Sequence, residues 1–418
     1  MTAYVQRSIP ANCRGEQLKV IGLISGTSYD AIEAVATEIV LRRQDLHVTV
    51  RGHESIAYDE SLRSRIAAAL PPATTSLEEV CQLDTAIGRA FADVASHMND
   101  YYFDGLTDVI GSHGQTLYHW VDAGLVRGTL QVGHPAWIAE RTGATVVSDV
   151  RARDIAAGGQ GAPLVSLLDT LLLASRATAT SSHVAAALNL GGIANLTVVT
   201  PDTPPIAFDI GPANALLDAV TTWASGGSQS FDQDGARAAR GTVNQDLLAH
   251  LLREPYYTSS PPKSTGKELF NLSYVRHHLG NQELNTDDLL ATLSELTAVT
   301  VARAVRDHHV DELFVSGGGM HNPDLMRRIE SHLDGVVVSS AQTLGVNPDA
   351  KEAVLLAVIG FLTMNGLTGT IPSCTGARQA TVLGTITPGR CHARQLAEVR
   401  QPRTARVSTL DLPPSTTS

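Results

Sequence analysis

The stretch Lys19-Val-Ile-Gly-Leu-Ile-Ser-Gly-Thr-Ser-Tyr-Asp30 begins as a short apolar run and ends in a polar turn that contains glycine. The apolar half predicts a buried strand, and residues 31–40 are apolar enough to predict a second strand that returns beside it. The same pattern spans residues 187–199, around the turn Gly191-Gly-Ile-Ala-Asn195. Because strand, glycine turn and returning strand occur twice, the sequence predicts two similar α/β lobes.

The composition is that of a folded, acidic protein. The chain has 418 residues, of which 43% are hydrophobic, and this excludes disorder, collagen and coiled coil for most of its length. The formal net charge is −11, so we expect neither nucleic acid nor an anionic membrane as a partner. An anionic ligand must instead be held locally, by backbone N–H groups and a few cations.

Cysteine use and hydropathy predict a cytoplasmic protein. The chain has four cysteines, at Cys13, Cys81, Cys374 and Cys391. They form no Cys-x-x-Cys pair, which argues against a disulfide framework or a structural zinc site. Residues 1–16 contain no apolar core of the kind found in secretory signals. The longest apolar stretch, residues 353–364, is shorter than the roughly 20 residues that a membrane span needs, and it predicts a buried core helix.

The glycine turns could bind phosphate or could be plain connections. Ser25-Gly-Thr-Ser28 lacks the Walker A lysine pattern, and no Gly-x-Gly-x-x-Gly opens a helix after a strand. The turn is nevertheless rich in hydroxyls, and Asp30 beyond it could hold Mg²⁺ directly or through water. Gly317-Gly-Gly319 follows an apolar strand and would let the backbone approach a flat ligand closely, or simply connect a strand to a helix.

Three polar side chains have more than one interpretation from the sequence alone. Asp209 ends an apolar strand and could be a general base, the N-cap of the next helix or a ligand of Mg²⁺-bound water. His113 lies in a glycine-rich turn and could be a hydrogen-bonding strut or a catalyst. Lys263 lies in a polar loop after two prolines and could neutralise a phosphate or only face solvent.

Together the turns belong to a longer series of motifs, and in this order they resemble the anhydro-N-acetylmuramic acid kinase family from about residue 20 to residue 389. The motifs are Gly22-Leu-Ile-Ser-Gly-Thr-Ser-Tyr-Asp30, Gly111-Ser-His-Gly-Gln-Thr116, Arg153-Asp-Ile-Ala-Ala-Gly-Gly-Gln-Gly-Ala-Pro-Leu164, Asn189-Leu-Gly-Gly-Ile-Ala-Asn195, Phe208-Asp-Ile-Gly-Pro212, Phe231-Asp-Gln-Asp-Gly235, Pro262-Lys-Ser-Thr-Gly266, Ser316-Gly-Gly-Gly319 and Lys351-Glu352.

The resemblance implies the fold of the sugar kinase, actin and Hsp70-like superfamily, α/β with two ribonuclease-H-like lobes and ATP in the cleft between them. It implies one lobe from residues 1–153 and about 376–402 and a second lobe from 154–375. Residues 403–418 are rich in Ser, Thr and Pro, and this composition predicts a disordered tail. ATP would be bound by two phosphate hairpins, an adenosine-side loop and one lysine. These residues are Gly26, Thr27, Ser28, Asp30, Gly191, Gly192, Asn195, Lys263, Gly317, Gly318 and Gly319.

The family enzymes convert 1,6-anhydro-N-acetylmuramic acid, ATP and water into N-acetylmuramic acid 6-phosphate and ADP, in the recycling of cell-wall sugars. The resemblance therefore implies ATP and Mg²⁺ as cofactors and a small sugar as substrate. Family members are often dimers, which makes a homodimer an open expectation for this chain. It assigns Asp209 as the general base that activates water for attack on C1. It places five residues at the sugar site: His113, Gln115, Arg151, Arg153 and Glu352.

The chain departs from the family pattern in two places. Asp30-Ala-Ile-Glu33 stands where the family commonly has Asp-Gly-x-Asp, and Val150 replaces a phenylalanine. Levoglucosan kinase, a relative whose sugar lacks the lactyl carboxylate, remains an alternative. Arg153 favours the acidic sugar, because guanidinium suits carboxylate geometry. A different class, an actin- or Hsp70-like ATPase with a protein partner, also remains open.

Overall fold

A computed structural model describes residues 17–26, 29–43, 45–71, 73–122, 125–174, 176–177, 183–280, 282–390 and 406–411. The chain divides into two compact units. The first unit comprises Met1–Ala174 and Leu344–Ser418, and the second comprises Ser175–Thr343.

The strands of the described residues are β1 (Leu18–Ser25), β2 (Ala31–Arg42), β3 (Asp45–Ala57), β4 (Val109–Asp122), β5 (Leu125–Val132), β6 (Thr145–Ser148), β7 (Ala185–Leu190), β8 (Ile193–Val199), β9 (Ile206–Pro212), β10 (Glu312–Ser316), β11 (Val337–Ser340), β12 (Thr385–Thr387) and β13 (Arg406–Asp411). The α-helices are α1 (Glu60–Ala69), α2 (Leu77–Phe103), α3 (Pro135–Thr142), α4 (Ala152–Ala156), α5 (Val165–Leu173), α6 (Asn214–Ala224), α7 (Ala236–Arg240), α8 (Gln245–Leu251), α9 (Leu272–Leu279), α10 (Thr286–Asp307), α11 (Pro323–Ser331), α12 (Lys351–Met364) and α13 (Pro372–Thr375).

Both units contain a mixed sheet with the same core topology. In the first, the strand order is β12-β6-β4-β1-β2-β3-β13, and β5 pairs with β4. In the second, the order is β11-β10-β7-β8-β9. Each core begins with three antiparallel strands and continues with two that run parallel to the first strand. This arrangement is ribonuclease-H-like in both units, and it confirms the predicted fold class.

Helix α12 is the predicted buried helix, and two glycines bring it onto the first sheet. A β-carbon at Gly22 would lie 1.9 Å from the carbonyl oxygen of Ala353, and one at Gly111 would lie 2.0 Å from that of Leu356. Only residues without a side chain let the backbone of the helix lie this close to β1 and β4. This contact fixes α12, and with it the position of Glu352 in its first turn.

The boundaries of the units differ from the predicted lobe boundaries at residues 153 and 376. Helices α5 and α12 both bury their apolar side chains in a core of the first unit. At the N-terminal end of α12, the buried side chains of Lys351 and Asp169 form an ion pair of 2.5 Å within the same unit. The sequence placed both helices in the second lobe because an apolar helix does not reveal which sheet it covers.

Part of the tail that the sequence predicted to be disordered forms a strand. Residues 406–411 pair in parallel with β3, and the rest of 403–418 lies outside the described residues. Cys81 and Cys374 form no disulfide, whereas Cys13 and Cys391 lie outside the described residues. In the described part of the chain, no helix is both long and apolar enough to cross a membrane.

Candidate functional site

The turn between β1 and β2 is held by a buried glutamine from β4. The Oε1 atom of Gln115 accepts a hydrogen bond from the hydroxyl of Ser25 at 2.6 Å. Its Nε2 atom donates to the carbonyl of Gly26 at 3.2 Å and to that of Thr116 at 3.3 Å. Since both ends of this amide are engaged, the geometry gives Gln115 the task of positioning the turn.

The carboxylate of Asp30, at the end of the same turn, contacts an arginine. Its Oδ1 atom lies 2.5 Å from Nη2 of Arg63, and both side chains are about half exposed. Among the described residues, no group of three or more His, Cys, Asp or Glu side chains could hold a metal ion. Thr27 and Ser28, which the sequence assigned to ATP, lie outside the described residues.

His113 positions Arg151 in the first unit. The Nε atom of Arg151 donates to Nε2 of His113 at 2.8 Å, and Nδ1 of His113 lies 3.1 Å from the carbonyl oxygen of Gly114. Burial and the nearby Arg151 charge lower the pKa of His113 to about 3, so the ring is neutral and donates from Nδ1. The structure therefore supports the strut interpretation of this histidine.

Arg151 is also tied to the loop after α4. Its Nη1 atom donates to the carbonyl of Gly161 at 2.7 Å. Burial lowers the pKa of Arg151, and the charges of Glu352 and Asp154 oppose this effect. Arg153 and Glu352 are exposed, and within the described ranges neither side chain has a hydrogen-bonding partner. The first unit thus presents charged groups of both signs near Arg151.

A cavity of about 430 Å³ lies beside His113 in the first unit. Two of its lining atoms, Oγ of Ser112 and Oε1 of Gln131, are buried and have no hydrogen-bond partner among the described residues. Asp84 and Asp149 add carboxylates to the lining. Ser112 and Gln131 could not be singled out from the sequence, because polar side chains within a strand are usually exposed. Buried polar atoms without partners are typical of sites that a ligand completes.

In the second unit, Asp209 lies in a row of polar side chains across three strands. Asn189 of β7 pairs with Asn195 of β8, which in turn pairs with Asp209 of β9. Directly paired residues on neighbouring strands project from the same face. A register shift beside Asn195 leaves one extra residue in β9 immediately after Asp209. Bulges of this kind re-aim side chains and are frequent next to active sites.

One oxygen of Asp209 is fixed and the other is open. Its Oδ2 atom accepts hydrogen bonds from the hydroxyl of Ser264 at 2.8 Å and from the amide of Thr265 at 3.0 Å. Within the described residues, Oδ1 has no such partner. Burial raises the pKa of Asp209, and the hydrogen bonds from Thr265 and Ser264 oppose the rise. An oriented carboxylate with one free oxygen can accept a proton from a ligand or from water.

The N-cap interpretation of Asp209 is wrong. Helix α6 begins after Ala213, and no side chain caps it. The ammonium of Lys263 is not free to bind phosphate, because it donates to the carbonyls of Tyr256 at 3.2 Å and Tyr257 at 3.3 Å. Burial lowers the pKa of Lys263, and the charge of Asp209 opposes this effect. Lys263 therefore supports the loop that holds Asp209.

The two glycine segments of the second unit meet at the end of its sheet. A β-carbon at Gly317 would lie 2.6 Å from Oδ1 of Asn189, and the φ angle of +86° also favours glycine there. Asn214 donates from Nδ2 to the carbonyls of Leu190 at 3.1 Å and Gly191 at 2.9 Å. The structure thus brings the turn at Gly191 and the loop at 317–319 together, as ATP binding requires.

Comparison with known proteins identifies the family. A family model described as anhydro-N-acetylmuramic acid kinase matches residues 18–389. A protein of that name from Streptomyces coelicolor is 55% identical over 374 residues, which are 89% of this chain and 94% of that protein. Another from Rhodococcus erythropolis is 52% identical and covers 94% of this chain and 100% of its own length. The chain belongs to the anhydro-N-acetylmuramic acid kinase family.

Solved structures resemble this family member less closely. A ROK family glucokinase from Streptomyces griseus, in complex with glucose and AMPPNP, has a TM-score of 0.35 and 11% identity and covers 82% of this chain and 99% of that one. A ROK hexokinase from Thermus thermophilus has a TM-score of 0.36 and 12% identity, with the same shares covered.

The departures from the family pattern are accommodated inside the first unit. Val150 is buried in the core that also contains α12. Glu33 accepts hydrogen bonds from Ser55 at 2.6 Å and pairs with His53 at 2.7 Å. Burial alone would raise the pKa of Glu33. The hydrogen bonds from His53 and Ser55 and the charge of His53 outweigh this effect, so the pKa lies below its usual value. Glu33 is therefore a structural group in this member of the anhydro-N-acetylmuramic acid kinase family.

Proposed function

We propose that the protein is an ATP-dependent kinase that opens 1,6-anhydro-N-acetylmuramic acid with water and phosphorylates its O6, giving N-acetylmuramic acid 6-phosphate and ADP. Family membership supports the substrate, and it favours this reaction over levoglucosan phosphorylation. The observation that carries the chemistry is the geometry of Asp209, with Oδ2 anchored and Oδ1 open.

Asp209 is the proposed general base. In the anhydro sugar O6 is bonded to C1 and has no proton, so the C1–O6 bond must break before O6 can hold a phosphoryl group. Water attacks C1, Oδ1 takes a proton from that water, and the released O6 accepts the γ-phosphoryl group. A positioned base contributes typically about 10²–10⁴-fold to such a step.

In the first unit, different residues would bind the neutral groups and the carboxylate of the sugar. The cavity lined by Asp84 and Asp149 repels a carboxylate and suits hydroxyl or amide groups that can donate to Gln131. We assign the lactyl carboxylate to Arg153, whose guanidinium is exposed. Arg151 and Glu352 would complete the sugar site, with His113 and Gln115 as positioning residues.

ATP would be bound by the glycine segments at Gly26, Gly191–Gly192 and Gly317–Gly319, together with Asn195. Magnesium would be held mainly by the phosphates, since the described residues contain no group of three or more His, Cys, Asp or Glu side chains that could hold it. Asp30 would bind the magnesium ion directly or through water, once its ion pair with Arg63 is broken. When bound, the ion neutralises charge on the phosphoryl group that is transferred.

The test uses the purified full chain with ATP, Mg²⁺ and the anhydro sugar in ¹⁸O-labelled water. We expect sugar-dependent release of ADP and a 6-phosphate that carries the label at C1. The absence of ADP release above background would reject the proposal, and ADP release without sugar would favour an actin- or Hsp70-like ATPase. Levoglucosan in a parallel reaction tests the alternative substrate. The homodimer and the cytoplasmic location stay predictions.

A further inference from the structure

Lys267 lies beside the glycine turn that joins β7 to β8, although no motif singled it out. Its Cε atom is 3.4 Å from the point where a β-carbon of Gly192 would stand. The side chain is exposed, and among the described residues its ammonium makes no hydrogen bond or ion pair. A cation that makes no hydrogen bond or ion pair with the described residues thus lies next to a turn that the proposed function assigns to phosphate.

The carbonyl groups of this turn face the start of α6. The carbonyl of Gly191 accepts hydrogen bonds from the amide of Asn214 at 3.0 Å and from its Nδ2 atom at 2.9 Å. In a trans peptide the carbonyl and the following N–H point in opposite directions. Because the carbonyl of Gly191 faces α6, the N–H of Gly192 points away from that helix. A ligand on the side of the turn opposite α6 can therefore accept a hydrogen bond from this N–H.

The other lysine of this loop is less well placed for phosphate. The ammonium of Lys263 is already shared between two backbone carbonyls. The charge of Lys267 acts on Asp218 of α6. Burial raises the pKa of Asp218 to about 6, and the charge of Lys267 opposes the rise. A purely structural role for Lys267 would therefore be to stabilise the ionised form of Asp218, and the experiment must separate that role from phosphate binding.

We propose that Lys267 binds the terminal phosphates of the nucleotide at the Gly191–Gly192 turn. This inference rests on the proposed function, since it takes ATP as the ligand of that turn. An ammonium–phosphate contact is a charge-assisted hydrogen bond, which is stronger than a neutral one. Lys267 would thus select nucleotides by their phosphates and leave recognition of adenosine to other residues.

The experiment measures binding of AMPPNP and of adenosine to the full chain by calorimetry. Lys267→Met should weaken AMPPNP binding about ten- to hundredfold and leave adenosine binding unchanged. Lys267→Arg should retain most of the affinity. Arg303→Met removes an exposed positive charge from α10 and should bind both ligands as the wild type does.

Three results would overturn the proposal. In the first, Lys267→Met binds AMPPNP as tightly as the wild type does. In the second, the variant loses affinity for AMPPNP and for adenosine equally, which indicates a structural role. The third is recovery of AMPPNP affinity when Asp218→Asn is added to Lys267→Met, because Lys267 would then act only through Asp218. Failure of the wild type to bind either ligand would instead remove the proposed function, and this inference with it.

Discussion

Replacing Asp209 by asparagine tests the proposed base while changing little else. The amide oxygen of asparagine can take the place of Oδ2 and accept from Ser264 and Thr265, which now donate at 2.8 and 3.0 Å. The amide nitrogen then replaces Oδ1, the oxygen without a partner among the described residues. The fold and nucleotide binding should therefore persist, whereas the group that accepts the proton is lost.

The expected loss in kcat is about 10²–10⁴-fold, the usual contribution of a general base. This corresponds to roughly 2.7–5.4 kcal/mol of transition-state stabilisation, at about 1.36 kcal/mol for each factor of ten. The assay measures ADP release with saturating anhydro sugar, and calorimetry with AMPPNP checks that binding is retained. A variant that binds AMPPNP normally and turns over within threefold of the wild type would refute the assignment of Asp209.

Three further predictions concern the same site and its support. Ser264→Ala removes a hydrogen bond that lowers the pKa of Asp209; since the base must be ionised, the acidic limb of the kcat–pH profile should move to higher pH, and an unmoved limb would contradict this. Arg153→Met should raise KM for anhydromuramate at least tenfold but leave KM for ATP unchanged; equal effects on both would argue against carboxylate binding. Gly22→Ala should lower the free energy of unfolding by at least about 2 kcal/mol through overpacking, because its β-carbon would lie 1.9 Å from a carbonyl oxygen of α12. In the matched control Gly128→Ala, the β-carbon would meet its nearest neighbour at 3.6 Å, so similar unfolding of both variants by heat or denaturant would contradict the packing argument.

The sequence predicted the paired strands of both units, because apolar runs of strand length that end in glycine turns are local signals. It did not predict which sheet α12 covers, since that depends on glycines far away in the chain. Gly22 and Gly111 meet the helix only in the fold. Local signals therefore sufficed for the fold class but not for the limits of the units.

The candidate site shows the same division between local and long-range information. Asp209 could be singled out because it ends a buried strand, but the open oxygen depends on Ser264, a residue 55 positions away. Lys263 and Lys267 are equivalent cations in one polar loop as far as sequence is concerned. The structure separates them, because one ammonium contacts two carbonyls and the other lies beside Gly192.

Glu33 and Asp209 show how local partners distinguish two carboxylates on non-equivalent strands. In the first sheet, Glu33 lies on β2 and pairs with Ser55 of β3. In the second sheet, Asp209 lies on β9 and pairs with Asn195 of β8. The environments differ: both oxygens of Glu33 are engaged, by His53 and Ser55, and its pKa is lowered. Asp209 has one engaged oxygen and a raised pKa. A half-buried carboxylate with one unpartnered oxygen accepts a proton more readily than one with both oxygens engaged, so local partners favour Asp209 over Glu33 as a base.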